Sequence, residues 1–160
     1  MKNIISKILF ISVIALIAVT SCEKDLTRVV KKSYPTGQDR FVLYYDGEPS
    51  KETWVKAELF HENGQLMTVK RYEKGIQNGW TESYYDNGAP MAKVMYKDGR
   101  KIGHYWKKHR NGKISYTGDY KEDRRNGDWI KLDENGDTIR IETYELGKLV
   151  GGKKFDKNKK

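Results

Sequence analysis

A 24-residue period constrains this chain more than any other feature. Tyr72, Tyr96, Tyr120 and Tyr144 recur at that interval, as do Gly79, Gly103, Gly127 and Gly151. The pairs Asn63-Gly64, Asn87-Gly88, Asn111-Gly112 and Asn135-Gly136 keep it as well. Gly75, Gly99 and Gly147 follow the same spacing, with Asp123 filling the gap. Such a period marks a repeat architecture, in which each unit is a supersecondary element that needs its neighbours to bury apolar surface. Asn-Gly between runs of Tyr, Trp, Val, Ile and Thr signals a hairpin, since both residues tolerate positive φ. The segment Tyr-x-x-Gly-x-x-x-Gly supplies glycine where the chain is expected to reverse again. Because 24 is even, side chains one period apart return to one face of a sheet. The four tyrosines are therefore expected to form a ladder, spaced two strands apart at about 10 Å per repeat.

The predicted fold is all-β, an elongated antiparallel meander of stacked hairpins. Alternation supports it in part: Ile114, Tyr116, Gly118 and Tyr120 fall on one face, as do Pro90, Ala92, Val94 and Tyr96. Ile139 and Ile141 fall on the opposite face, so a register change or bulge is expected in the last unit. The lysines at the carboxyl end, Lys153, Lys154, Lys157, Lys159 and Lys160, suit protection of an open sheet edge.

The unit Tyr-x-x-Gly-x-x-x-Gly-x-Trp-x-x-Tyr-x-x-Asn-Gly resembles the variant MORN repeat, from about Tyr44 to Gly151. Gly127-Asp128-Trp129 matches the Gly-x-Trp element, and Gly103-His104-Tyr105 matches it with tyrosine. The first full unit departs from it, with Trp80 shifted one place and Thr81 at the tryptophan position. The second aromatic is Tyr84 in that unit but Lys108 and Leu132 in the next two. The resemblance implies an elongated single sheet of hairpins, with units near 44–71, 72–95, 96–119 and 120–143. A half unit covers 144–155, within a repeat domain of 40–155 followed by a basic tail, 156–160. The unit beginning at Tyr44 carries four extra residues before Asn63-Gly64.

The amino terminus reads as an address. Residues 1–21 hold Lys2 and Lys7, no acidic residue, and a largely apolar run from Ile8 to Val19. That run would span about 18 Å as a helix, short of a hydrocarbon core of about 30 Å. The pattern is that of a secretory signal. Val19-Thr20-Ser21-Cys22 resembles the lipobox of bacterial lipoproteins, which implies cleavage between Ser21 and Cys22 and a lipid on the Cys22 thiol. Residues 22–39 are polar, with Pro35 and Gly37, and are expected to form a flexible tether. The expected location is a membrane-anchored lipoprotein of the outer membrane, facing the periplasm or displayed at the cell surface.

Catalytic and metal chemistry find little support. One cysteine and three histidines exclude a disulfide framework. His104 and His109 are an odd number apart and point to opposite faces, while His61 and His109 lie two repeats apart, about 20 Å. No nucleophile elbow surrounds Ser33, Ser50, Ser83 or Ser115, and the acids cluster in turns, as Asp133, Glu134 and Asp137 do. No enzyme, cofactor or metal is expected.

Charge carries more information. Seven basic residues between Tyr96 and Asp119 stand against Asp98 and Asp119, a net of +5, whereas the next unit has a net of −2. Arg100, Lys101, Tyr105, Trp106, Lys107 and Lys108 are thus the candidate ligand-binding residues, with Tyr116 interleaved. Cations beside rings can hold an anionic envelope lipid or polysaccharide. Nucleic acid suits the same chemistry, but the export signal argues against it. The leading expectation is a non-catalytic, lipid-anchored envelope module that presents its repeat sheet to a protein partner. Binding of an anionic polymer by the basic unit is the alternative. A further one is an exported antitoxin or immunity-type protein, since some proteins with variant repeats are described as antitoxin components.

Overall fold

The structure, a computed structural model, describes residues 25–155. The signal segment, Ser21 and Cys22 lie outside the described residues, as does the tail 156–160. The strands are β1 (Thr27–Ser33), β2 (Asp39–Tyr45), β3 (Trp54–Phe60), β4 (Leu66–Glu73), β5 (Ile76–Gln77) and β6 (Gly79–Tyr84). They continue as β7 (Pro90–Lys97), β8 (Arg100–Lys108), β9 (Ile114–Lys121), β10 (Arg124–Leu132), β11 (Thr138–Glu145) and β12 (Lys148–Lys154). All lie in one sheet in chain order, every pair antiparallel, with β5 pairing only with β4. Eleven strands side by side extend about 50 Å, against roughly 25–30 Å along a strand.

The two turns of each unit exchange the chemistry expected of them. The tight reversal is Tyr-x-x-Gly, where both central residues have positive φ: Lys74 and Gly75, Asp98 and Gly99, Glu122 and Asp123, Leu146 and Gly147. That is the two-residue type I′ hairpin, whose twist matches the strands. At Asn-Gly only the glycine is left-handed. In Tyr85–Ala89 the Gly88 amide bonds Tyr85 O at 2.9 Å and the Tyr85 amide bonds Ala89 O at 2.9 Å. This is a type I turn closed by a glycine, with a register shift beside it. The asparagine serves through its side chain: the Ala89 amide donates to Asn87 Oδ1 at 3.1 Å.

Gly79, Gly103 and Gly127 are not turn residues. Each has positive φ and stands at a wide bulge, Gly103 and Gly127 inside β8 and β10 and Gly79 at the start of β6. Between Asn126↔Asp119 and Ile130↔Thr117, β10 places Gly127, Asp128 and Trp129 opposite Gly118 alone. β8 does the same with Gly103, His104 and Tyr105 opposite Val94. Gly151 carries no positive φ.

The sheet also starts earlier than expected. The stretch assigned to a tether contains β1, paired with β2 from Thr27↔Tyr45 to Ser33↔Asp39. The connection, Tyr34-Pro35-Thr36-Gly37-Gln38, makes the same two backbone bonds as His61–Gln65, so it is a degenerate Asn-Gly turn. Tyr45 follows Gly37 by eight residues, as Tyr72 follows Gly64. Tyr45, not Tyr44, therefore holds the ladder position; it is buried against Leu43 and Ala57, while Tyr44 points to the other face.

Both rims of the sheet are tied turn to turn. On one rim Tyr85 Oη donates to Lys108 O at 2.6 Å, and the imidazoles of His61 and His109 bond Tyr84 O and Leu132 O at 3.0 and 3.1 Å. A carbonyl only accepts, so Nε2 carries the proton in both rings. Asn63 and Asn111 add bonds to Asp86 O and Glu134 O at 2.6 and 2.8 Å. On the other rim the amides of Gly99, Asp123 and Gly147 bond Gln77 O, Lys101 O and Arg125 O. Each unit is thus held by backbone pairing and by its turns. Apolar burial is thin: Val42, Leu43, Tyr45, Ala57, Val69, Val94 and Trp129 are the buried hydrophobics among the described residues.

Candidate functional site

Cross-strand partners in an antiparallel sheet share a face, so the register assigns every side chain. One face carries the tyrosine ladder, and its centre of mass is aromatic around β8–β11. Trp129, 1% exposed, stacks on Tyr105 at 5.6 Å and meets Tyr116 and Tyr120 at 5.1 and 4.8 Å. Gly118 makes this possible, since any side chain there would occupy the indole's place. Trp129 Nε1 donates to Asp119 O at 3.2 Å. Burial pushes the phenols of Tyr105 and Tyr116 above their ordinary range.

Over this stack lies Arg125, its guanidinium 4.7 Å from the Trp129 ring centre and 5.5 Å from that of Tyr116. It donates to Tyr144 Oη at 2.9 Å and stands 3.8 Å from Glu142. An open groove of about 500 Å³ runs beside it, with Lys107, Tyr116, Lys131, Arg140 and Glu142 among its walls. Arg140 is ion-paired with Glu142.

The opposite face, here the reverse face, has another character. Tyr44, Lys56, Glu58, Arg71, Trp80, Glu82, Lys93 and Trp106 form a strip across β2–β8 by register. Lys56 lies 3.8 Å over the Tyr44 ring, and Lys93 lies 4.5 Å over Trp80. Tyr44 Oη donates to Glu58 at 2.6 Å. Glu82 accepts from Lys93 at 2.9 Å and Arg71 at 3.0 Å. Burial alone would raise the Glu82 carboxyl, but those bonds overcome it and hold the group below its usual range. Trp80 is 38% exposed.

The candidate residues of the basic unit do not form one band. Lys101, Tyr105 and Lys107 face the ladder side, with Lys101 over the Tyr120 ring at 5.1 Å. Arg100, Trp106 and Lys108 face the reverse side. Arg100 pairs with Glu122 at 3.3 Å, and Lys108 lies 5.0 Å over Trp106. Lys107 is brought instead beside Arg125, Lys131 and Arg140, which belong to the next unit, 120–143. These were hidden in a unit of negative net charge, five of whose seven acids, Glu122, Asp123, Asp133, Glu134 and Asp137, stand at its turns. Block charge hides them, and the observed hairpin register brings them together. His104 bonds Asp119 and Thr117 on the reverse face. No group of three His, Cys, Asp or Glu residues among the described residues is placed to hold a metal. No helix among the described residues is long and apolar enough to cross a membrane.

The family model described as "MORN repeat variant" matches residues 77–98, from β5 to the turn after β7. Over those residues the chain is similar to a MORN-type repeat. The matched repeat is the one that presents Trp80 on the reverse face. Among solved structures the chain is similar to a protein in "Crystal structure of GtfA/B complex bound to UDP and GlcNAc", at 15% identity and a TM-score of 0.31. That alignment covers 74% of this chain and 22% of the other, so the chain spans about a fifth of that protein's length. No curated protein matches.

Proposed function

We propose that this chain is a non-catalytic interaction module of the cell envelope, lipid-anchored through Cys22, that presents its MORN-type sheet to a protein partner. The observation that carries the reading is the reverse-face strip from Tyr44 to Trp106. Protein interfaces are enriched in Trp, Tyr and Arg, and a few such residues supply most of the binding energy. Here Trp80 and Trp106 stand among Arg71, Glu82 and Lys93, whose charges are pre-paired and fixed in place. A surface ordered before binding loses less side-chain entropy on docking. The placement of Trp80 supports the reading further. The one-residue shift from the Gly-x-Trp pattern moves its ring out of the ladder face and onto the reverse face.

The test is co-purification of the full-length, lipidated protein from its native envelope after crosslinking, through a carboxyl-terminal tag. The expected result is one protein in near-equal amount, lost when Trp80→Ala and Trp106→Ala are combined in a protein that still folds. Absence of any stoichiometric protein, or its recovery undiminished with that double variant, would overturn the reading.

A further inference from the structure

We infer that the ladder-face groove over β8–β11 is a binding site for an acidic polysaccharide whose carboxylates are spaced along the chain. The inference rests on the module being exported, but it concerns the face opposite the proposed protein interface. Register places Lys107, Tyr116, Lys131, Arg140 and Lys154 in one line across five neighbouring strands. Four strand intervals make that line about 19 Å long. A row of cations fits a linear polyanion, whereas a small anion would require them to converge on a point.

Charge accounting narrows the ligand. Lys107 and Lys131 have no acidic partner among the described residues, and both line the groove. Glu142 is the lone carboxylate in its wall among the described residues, and it is shared between Arg125 and Arg140. A fixed carboxylate opposes a polymer with a charge on every unit. Toward a polyhydroxylated chain it is an acceptor for sugar hydroxyls. The rings argue the same way. Single-stranded nucleic acid is held by bases stacked on presented aromatic faces, but Trp129 is fully covered and Arg125 lies over both it and Tyr116. Spacing completes the match. Lys107 and Lys131 are two strands apart, about 10 Å, comparable to two sugar units, so a uronate on alternate sugars meets a lysine at each step. The unit between them lies over Tyr116.

The experiment uses the full mature chain and fluorescently labelled hyaluronan oligosaccharide, in which uronate alternates with a neutral sugar. Neutral dextran, single-stranded DNA of similar length and anionic phospholipid vesicles serve as the other arms. Binding is expected to hyaluronan, not dextran, and to weaken as salt rises. Lys107→Gln with Lys131→Gln should lower affinity at least tenfold. The charge-matched pair Lys97→Gln with Arg100→Gln, cross-strand partners on the reverse face that do not line the groove, should change it less than twofold. Equal losses in the two pairs would mean diffuse charge attraction and overturn the inference, as would no binding or tighter binding of DNA or vesicles. Recovery of the protein partner by the Lys107/Lys131 variant is measured alongside. It should be unchanged, so loss of either binding activity leaves the other independently tested.

Discussion

Replacing Gly118 by alanine puts a methyl group where Trp129 already sits. An ideal Cβ there would lie 2.4 Å from Trp129 Cδ2 and 2.6 Å from Cγ. The φ at Gly118 is not in the left-handed region, so the penalty comes from space alone. The indole cannot swing aside cheaply, because Tyr105, Tyr116 and Tyr120 box it in at ring distances of 4.8–5.6 Å. Overpacking a site like this costs about 1–3 kcal/mol, and the rigid ring puts Gly118→Ala in the upper half of that range. The same change in a Trp129→Leu background should cost less than about 0.5 kcal/mol, giving a coupling near 2 kcal/mol between the two positions. Urea unfolding of the four proteins measures the cycle, and loss of near-UV circular dichroism reports the broken stack. An unaltered midpoint for Gly118→Ala, or an equal penalty in both backgrounds, would refute the packing argument. The repeat sequence carries its own control: Val94 stands at the equivalent position one period earlier, opposite the smaller Tyr105.

Other outcomes follow from single contacts. Glu82 is held below its ordinary value of 4.5, so its contribution to stability is present above that value and lost as pH falls through the folded one. Glu82→Gln should flatten the fall in stability below about pH 4.5, read from thermal melts across pH. Asn111→Ala removes the bond to Glu134 O and the one accepted from the Lys113 amide; it should cost about 1–2 kcal/mol and speed amide exchange at the turns of both repeats. Leu146 holds φ 47 in a type I′ turn and is exposed. Leu146→Asn should therefore stabilise the chain by about 0.5–1 kcal/mol, measured by denaturant midpoint.

The repeat was legible because hairpins need Gly and Asn at fixed offsets, and a period of 24 returns them to register. Chemistry within the turns was not. Asn-Gly is compatible with both a two-residue turn and a glycine-closed type I turn, and the flanking bulges decide between them. β1 escaped notice because Pro35-Thr36-Gly37 replaces the Asn-Gly signature and Val29 and Val30 are its sole large apolar residues. The division of Arg100, Trp106 and Lys108 from Lys101, Tyr105 and Lys107 was available from simple alternation. A charge total over the whole unit averages it away. The approach of Lys107 to Lys131 and Arg140 was not available, since it depends on one-residue register shifts beside each Asn-Gly turn.

The central claim is that the two faces have separate uses, and photocrosslinking from each face tests it most directly. A photoreactive residue replaces Trp80 on the reverse face in one protein and Lys107 in the groove in another, both expressed full length in the native envelope. A discrete protein adduct from position 80 and none from position 107 is the expected result. A protein adduct from position 107 alone, or the same adduct from both, would contradict it.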